Sequence, residues 1–255
     1  MKTALITGAS SGFGKAFAYE LAKEGYSLIL TARRENRLRE IQQDIVKEYP
    51  VSVEYVVIDL GSPDAPEEIF NRYPDIELLI NSAGVGVIGN IFSLSLDQEQ
   101  QMIDLNIKSL HLLTRIYAVE MTRKKFGGII NIASTSSFFP HPNFAVYAAS
   151  KAFVLSYTEA VSKELEGTNV HLMALCPGAA YTEFFDKDKM DKLQRKAGKL
   201  PLMMYPERIV HEAFTAFKKK KRVFIPGLRH RIFNFLVKLI PREVLLNMVF
   251  RYLKG

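Results

Sequence analysis

Thr3-Ala4-Leu5-Ile6-Thr7-Gly8-Ala9-Ser10-Ser11-Gly12-Phe13-Gly14 is a short β-rich run that breaks into three glycines, and an amphipathic helical pattern follows it. A phosphate-binding turn needs this order. Glycines allow tight turning and close backbone approach, while a helix N-terminus offers free N–H groups and a positive dipole end to a pyrophosphate. The spacing is Gly-x-x-x-Gly-x-Gly rather than the Gly-x-Gly-x-x-Gly of the commonest dinucleotide fingerprint, which points to a subclass of such loops. An ordinary glycine-rich turn between strand and helix reads the same way locally. So does the nucleophile elbow of a serine hydrolase, with Ser10 in Gly8-Ala9-Ser10-Ser11-Gly12. That elbow requires a later acid and histidine and normally follows several strands, whereas this one follows the first. None of His111, His141, His171, His211 and His230 falls at an evident late strand end.

Outward from the loop, strand-like runs at 3–7, 27–31, 53–58, 77–81, 128–133, 169–175 and 222–225 alternate with helical patterns at 15–24, 37–47, 67–73, 98–124, 145–166 and 207–218. Several runs are continuously apolar (Leu28-Ile29-Leu30, Leu78-Leu79-Ile80), as strands covered on both faces of a parallel sheet should be. The intervening helices are long enough for right-handed crossovers. No repeat or linker divides the 255 residues, so residues 1–255 are expected to form one domain, with 228–255 as an amphipathic helical extension of it. A lone cysteine, Cys176, allows no internal disulfide and suits a reducing compartment, and the N-terminal apolar run is too short for a signal peptide. No stretch of about 18 uncharged apolar residues marks a membrane span. The chain is therefore expected to be cytoplasmic.

The net charge of +7 is lopsided. Residues 218–255 hold 11 Lys or Arg and one acid, Glu243, which leaves the first 217 residues slightly acidic. No groove-reading motif accompanies this charge, so nucleic acid is not an expected partner. The tail reads as two helices, 228–240 and 242–253, separated by Pro241. Arg231, Asn234 and Lys238 form a narrow polar stripe on the first, and Glu243, Asn247, Arg251 and Lys254 form one on the second. The wide apolar faces between them would pack against the body or a dimer partner, or lie on an anionic membrane.

Tyr147-Ala148-Ala149-Ser150-Lys151 places a phenol and an ammonium at i and i+4, on one helical face. A phenol with a reference pKa near 10 needs about 3 units of lowering to exchange protons near pH 7, and neighbouring positive charge from Lys151 acts in that direction. Alone, Tyr-x-x-x-Lys is common and usually structural. Here Ser134 lies 13 residues earlier at the end of the 128–133 run, and ligands bind at the carboxyl ends of parallel strands. With these parts in order, the sequence resembles the short-chain dehydrogenase/reductase family over nearly its whole length. The resemblance is carried by Thr7 to Gly14, Asn81-Ser82-Ala83-Gly84, Asn106, Ser134, Tyr147 with Lys151, and Pro177-Gly178 with Thr182.

The resemblance implies a Rossmann-type, doubly wound α/β fold, with a seven-stranded parallel sheet and helices on both faces. It also implies an oxidoreductase that moves a hydride between nicotinamide and a carbonyl or alcohol. Tyr147 would be the general acid/base, and Ser134 would bind the substrate oxygen. Lys151 would hold the ribose and lower the phenol's pKa, and Asn106 would anchor a water linking Lys151 to solvent. Cofactor contacts are expected from Gly8, Ser10, Ser11, Gly12, Phe13, Gly14, Asp59, Leu60, Asn81, Ala83, Gly84, Tyr147, Lys151, Pro177, Gly178 and Thr182. No metal is expected. A homodimer or homotetramer would be usual. The family more often has a second asparagine where this chain has Ser82. A nucleotide-binding redox sensor without turnover is the rival reading, although Ser134, Tyr147 and Lys151 are all retained.

The end of the second run decides the cofactor. An acid there would hold the ribose 2′-hydroxyl of NAD, but the chain reads Thr31-Ala32-Arg33-Arg34. Guanidinium groups suit a 2′-phosphate, so NADP(H) is preferred over NAD(H), with Arg33 the leading contact and Arg34 either a second contact or a solvated side chain. Asp59 would accept from adenine or cap a helix. Phe138, Phe139, Pro140, Pro142 and Phe144 form an apolar wall between Ser134 and Tyr147. Tyr181, Phe184 and Phe185 begin the segment that covers the substrate in this family, although its many Lys and Met residues equally suit a flexible surface loop. A bulky or hydrophobic carbonyl is the expected substrate.

Overall fold

The computed structural model describes residues 2–184 and 203–254. Among them, seven strands form one parallel sheet in the order β3-β2-β1-β4-β5-β6-β7. They are β1 (Thr3–Thr7), β2 (Ser27–Ala32), β3 (Val53–Val57), β4 (Leu78–Asn81), β5 (Gly127–Ile132), β6 (Val170–Leu175) and β7 (Val223–Phe224). The sequence places each of these runs to within two residues.

Alternate strand residues divide between two cores, which is what a sheet with helices on both faces requires. Ile6, Leu30, Ile80, Ile130 and Met173 point to one side, together with Phe17 and Leu21 of α1 (Gly12–Lys23), Ile41 of α2 (Glu35–Glu48) and Phe214 of the helix at Pro206–Lys218. Leu5, Ile29, Leu79, Ile129 and Leu172 point to the other, against Ile69 of α3 (Ala65–Arg72) and Leu113 and Tyr117 in the 110–124 helix. The strand order reverses between β1 and β4, so the loops after these two strands diverge and open a crevice at their carboxyl ends.

The expected single helix at 98–124 is a continuous helical run of three parts. A capping box in which Ser95 and Gln98 each bond the other's backbone starts α4 (Leu96–Ile103). A π-helical turn follows at Asp104–Ser109, and α5 (Leu110–Lys124) completes the run. Such turns insert one extra residue and re-aim the side chains around it, often at functional sites. Here the buried residues are Asn106 and Ser109. After β5, Ser134 caps a short 3₁₀ turn (Thr135–Phe138), and α6 (Ala145–Glu164) carries Tyr147 and Lys151.

Next come α7 (Pro206–Lys218), α8 (Leu228–Leu239) and α9 (Arg242–Lys254). α8 corrects one expectation. Its inward residues are His230, Asn234 and Val237, so part of the polar stripe is buried while the broad apolar face stays exposed. Among the described residues no helix is long and apolar enough to cross a membrane.

Candidate active site

The crevice is closed underneath by Thr7. Its hydroxyl donates to the Ile80 carbonyl and accepts from the backbone N–H groups of Ser82 and Ala83, each at 3.0 Å, tying the end of β1 to the loop after β4. Gly8 follows at φ +65, where a Cβ would stand 2.8 Å from the Ala83 Cα, so only glycine fits both the torsion and the space. Gly14 lies so close to the Gly8 carbonyl that any side chain would collide with it. Gly12, at φ +53, opens α1, and a Cβ there would reach Thr182 Cγ2 at 3.4 Å, which puts Thr182 directly over the glycine turn. The backbone is thus bare where a pyrophosphate needs to approach, and the first turn of α1 faces it. Phe13 is partly buried and packs against the core. Ser11 sits at the N-cap of α1 without a capping bond from its hydroxyl.

At the rim the two arginines divide their contacts. Arg33 Nη1 lies 3.7 Å from Asp59 Oδ2, while Asp59 Oδ1 accepts from Gly61 N at 3.0 Å. Arg34 does more than the sequence indicates. Its guanidinium donates to Ser10 Oγ from two nitrogens, at 3.2 and 3.1 Å, and to Glu183 at 2.7 Å. Ser10 is therefore bonded to a cation that cannot act as a base, the opposite of what a hydrolase nucleophile needs. Leu60 is buried in the core beyond Asp59. The bare glycine turn and the open rim beside Ala32 together fit a nicotinamide dinucleotide.

At the other end, Ser134, Tyr147 and Lys151 come together. Ser134 Oγ accepts from Ser136 N at 3.0 Å, and its hydroxyl is near enough to the Tyr147 phenol to act on its acidity. With a lone pair occupied by the amide, the serine proton is free to point at an oxygen beside the phenol. Tyr147 is buried, stacked on Phe144 at 4.1 Å between ring centroids and flanked by Phe184 at 5.5 Å. Burial pushes its phenol up to about 12, with the Ser134 hydrogen bond opposing the rise. This corrects the expectation of a phenol brought toward neutrality by Lys151. The Lys151 ammonium is engaged elsewhere, donating to the Ile132 carbonyl at 2.8 Å and lying 5.8 Å from the phenol ring centroid. Burial lowers its own pKa to about 8, so it is still a cation at pH 7.

The π-turn aims Asn106 at the same wall. Its side chain accepts from Val85 N at 2.9 Å and donates to the Val85 carbonyl at 2.9 Å and to Ser150 Oγ at 3.1 Å. A Cβ on Gly84 would lie 3.2 Å from Asn106 Oδ1 and 3.5 Å from Lys151 Nζ, so both face that glycine. Asn81 differs from its neighbours. Its amide donates to Thr114 and Asn131, and Asn131 donates to Thr158, forming a buried polar bridge from β4 to α5 and α6. Its amide nitrogen is spent beneath the crevice and supports the site from below, while its buried Oδ1 has no hydrogen-bond partner. Sequence reading missed Thr114, Asn131, Thr158 and Ser150, because isolated polar residues inside apolar runs carry no motif.

The loop after β6 joins the Ser134 turn through Thr135 N, which donates to the Pro177 carbonyl at 2.9 Å. The His230 ring packs directly on Gly178, where any side chain would collide with it. Cys176 is fully buried and burial raises its thiol to about 12, so it is a core residue. The expected apolar wall is split. Phe144 and Phe184 reach Tyr147, but Phe138, Phe139, Pro140 and Pro142 line a cavity of about 790 Å³ between the alanine face of α6 and the tail helices. Phe185 lies outside the described residues.

A sequence model of the short chain dehydrogenase family matches residues 2–193. An NADP-dependent 3-hydroxy acid dehydrogenase of Schizosaccharomyces pombe is 32% identical over 236 residues, 88% of this chain and 90% of that protein. Among solved structures, a short-chain dehydrogenase from Sphingobium yanoikuyae in complex with NADPH superposes with a TM-score of 0.82 at 32% identity, covering 89% of each chain. A bulky-bulky ketone specific alcohol dehydrogenase from Comamonas testosteroni superposes with a TM-score of 0.80 at 28% identity, covering 94% of this chain and 92% of that one.

Proposed function

Because the chain belongs to the short-chain dehydrogenase family of oxidoreductases acting on hydroxyl and carbonyl groups, we propose that it is a single-domain, NADP(H)-dependent reductase or dehydrogenase of bulky or hydrophobic carbonyls and alcohols. One observation carries this reading: the Ser134 hydroxyl near the Tyr147 phenol, with the Lys151 ammonium 5.8 Å from that ring, at the end of β5 beside a bare glycine turn.

Reduced nicotinamide, when bound, supplies a hydride to the carbonyl carbon. The chain supplies the rest. Ser134 donates a hydrogen bond to the carbonyl oxygen, and Tyr147 gives that oxygen its proton, leaving an alcohol and a phenolate. The buried phenol holds its proton at neutral pH, so the acid needed for carbonyl reduction is in place. The nearby Ser134 hydroxyl favours the phenolate left behind, and the Asn106 wall would carry the proton supply that restores it. Lys151, whose ammonium now donates to the Ile132 carbonyl, would hold the ribose hydroxyls. Arg33 and Arg34 hold the 2′-phosphate, consistent with the absence of an acid at Ala32 and with the NADP named for the yeast relative. Asp59 would meet the adenine and Pro177 to Thr182 the nicotinamide end, with Asn81 bracing the loop after β4 from beneath.

The same reading includes a cytoplasmic homodimer or homotetramer with peripheral membrane contact through α8 and α9. To test the reaction, NADPH absorbance is followed across aldehydes, ketones and lipid-like carbonyls with Ser10→Ala and Tyr147→Phe beside the natural protein. Turnover should survive the first change and fall roughly 100- to 10,000-fold with the second. Loss with Ser10→Ala and indifference to Tyr147→Phe would favour the hydrolase. NADPH binding with every carbonyl inert would favour the redox sensor.

A further inference from the structure

α8 is built inside out. Leu228, Ile232, Phe235 and Leu239 recur at i, i+4, i+7 and i+11, one stripe on the helix, and they are exposed by 68, 51, 64 and 67%. The opposite side, which packs on the body, carries His230 and Asn234, and Asn234 is only 1% exposed. A water-facing helix normally has the reverse arrangement. Leu236 widens the apolar stripe, and at 100° per residue Arg229 falls on one side of it and Arg231 and Lys238 on the other. All three cations are exposed. Arg231 is steadied at its edge by the Ile225 carbonyl at 2.9 Å and the Phe224 ring, and Lys238 lies over Phe138.

We propose that this stripe is the surface by which the protein lies on an anionic lipid bilayer. The proposal rests on the peripheral-contact part of the reading above and adds the face, the residues and the charge of the partner. Charge decides the occupant. Residues 218–255 carry 11 Lys or Arg against Glu243 alone, so a second copy would bring the same cationic rim against this one. An anionic headgroup layer offers opposite charge to the flanking cations, while the acyl region below takes the Leu, Ile and Phe side chains. Transverse insertion is not required, because the stripe occupies one side of the helix only.

The docked helix would stand next to the chemistry. Its inner side places His230 on Gly178 and Phe233 against Phe139, and Val237 and Lys238 line the 790 Å³ cavity. An apolar carbonyl held in the bilayer therefore meets the protein at the helix that packs on both loops of the site.

Flotation of the full-length protein tests this, using vesicles of phosphatidylcholine alone and of phosphatidylcholine mixed with phosphatidylglycerol, beside an Ile232→Ser/Phe235→Ser/Leu239→Ser variant. The natural protein should float with the anionic vesicles, stay behind with the neutral ones, and be released by salt. The variant should lose flotation while reducing a water-soluble aldehyde at the natural rate. No flotation of the natural protein would remove membrane contact altogether and leave the hydride-transfer reading intact. Undiminished flotation of the variant would move the contact to another surface. A natural protein that sediments without vesicles as a larger species than the variant would make the stripe a subunit interface. Each of these three results overturns the proposal.

Discussion

Tyr147 holds its proton because aromatic rings and backbone surround it, and Lys151 keeps its charge at neutral pH only by a narrow margin. The two groups set opposite pH limits. With the lysine pKa lowered to about 8 by burial, the rate of carbonyl reduction should stay level up to that region and decline above it as the ammonium is lost. Alcohol oxidation, which needs the phenolate, should instead rise with pH; initial rates in both directions across the pH range check this. At the adenosine end, Arg33→Ala should weaken NADPH binding roughly ten- to a hundredfold and leave NADH nearly unchanged, read by fluorescence titration. Equal losses for the two nucleotides would remove Arg33 from the phosphate site. These residues could be picked out in the sequence because i and i+4 spacing and a serine at a strand end are local facts, while their roles came from the family resemblance of the whole set. The direction of the phenol's shift was not, because it depends on Phe144, Phe184 and Ser134 closing around the ring.

At the scale of elements, the glycine turn is the most demanding piece. Gly8→Ala should lower the unfolding free energy by about 1–3 kcal/mol, because alanine must adopt φ +65 and its methyl must displace the Ala83 backbone. Denaturant melts with and without NADPH would measure that loss and the accompanying weakening of the nucleotide site. The turn and the strands were readable from glycine spacing and continuous apolar runs. The π-turn at Asp104–Ser109 was not, since hydrophobic periodicity registers one long helix and one inserted residue barely disturbs it. The orientation of α8 was equally hidden. Periodicity gives the width of an apolar face, but which way that face turns depends on what the body offers, and here His230 and Asn234 found places against it.

For the whole molecule, the doubly wound sheet explains why pieces as distant as Gly8, Ser134 and Thr182 share a crevice: they follow β1, β5 and β6, whose carboxyl ends lie on one edge of a parallel sheet. That edge was foreseeable from the alternation of strands and helices. The cavity between α6 and the tail was not, because it arises where residues far apart in sequence fail to close. The central claim is that this edge transfers hydride under the control of Tyr147. NADPH deuterated at the reactive position of its nicotinamide, mixed with a bulky ketone that the natural protein reduces, tests it most directly by mass spectrometry of the product. Deuterium should appear at the carbinol carbon with the natural protein and be nearly absent with Tyr147→Phe, although that variant still binds NADPH. A product without deuterium from the natural protein, or undiminished labelling by Tyr147→Phe, would contradict the account.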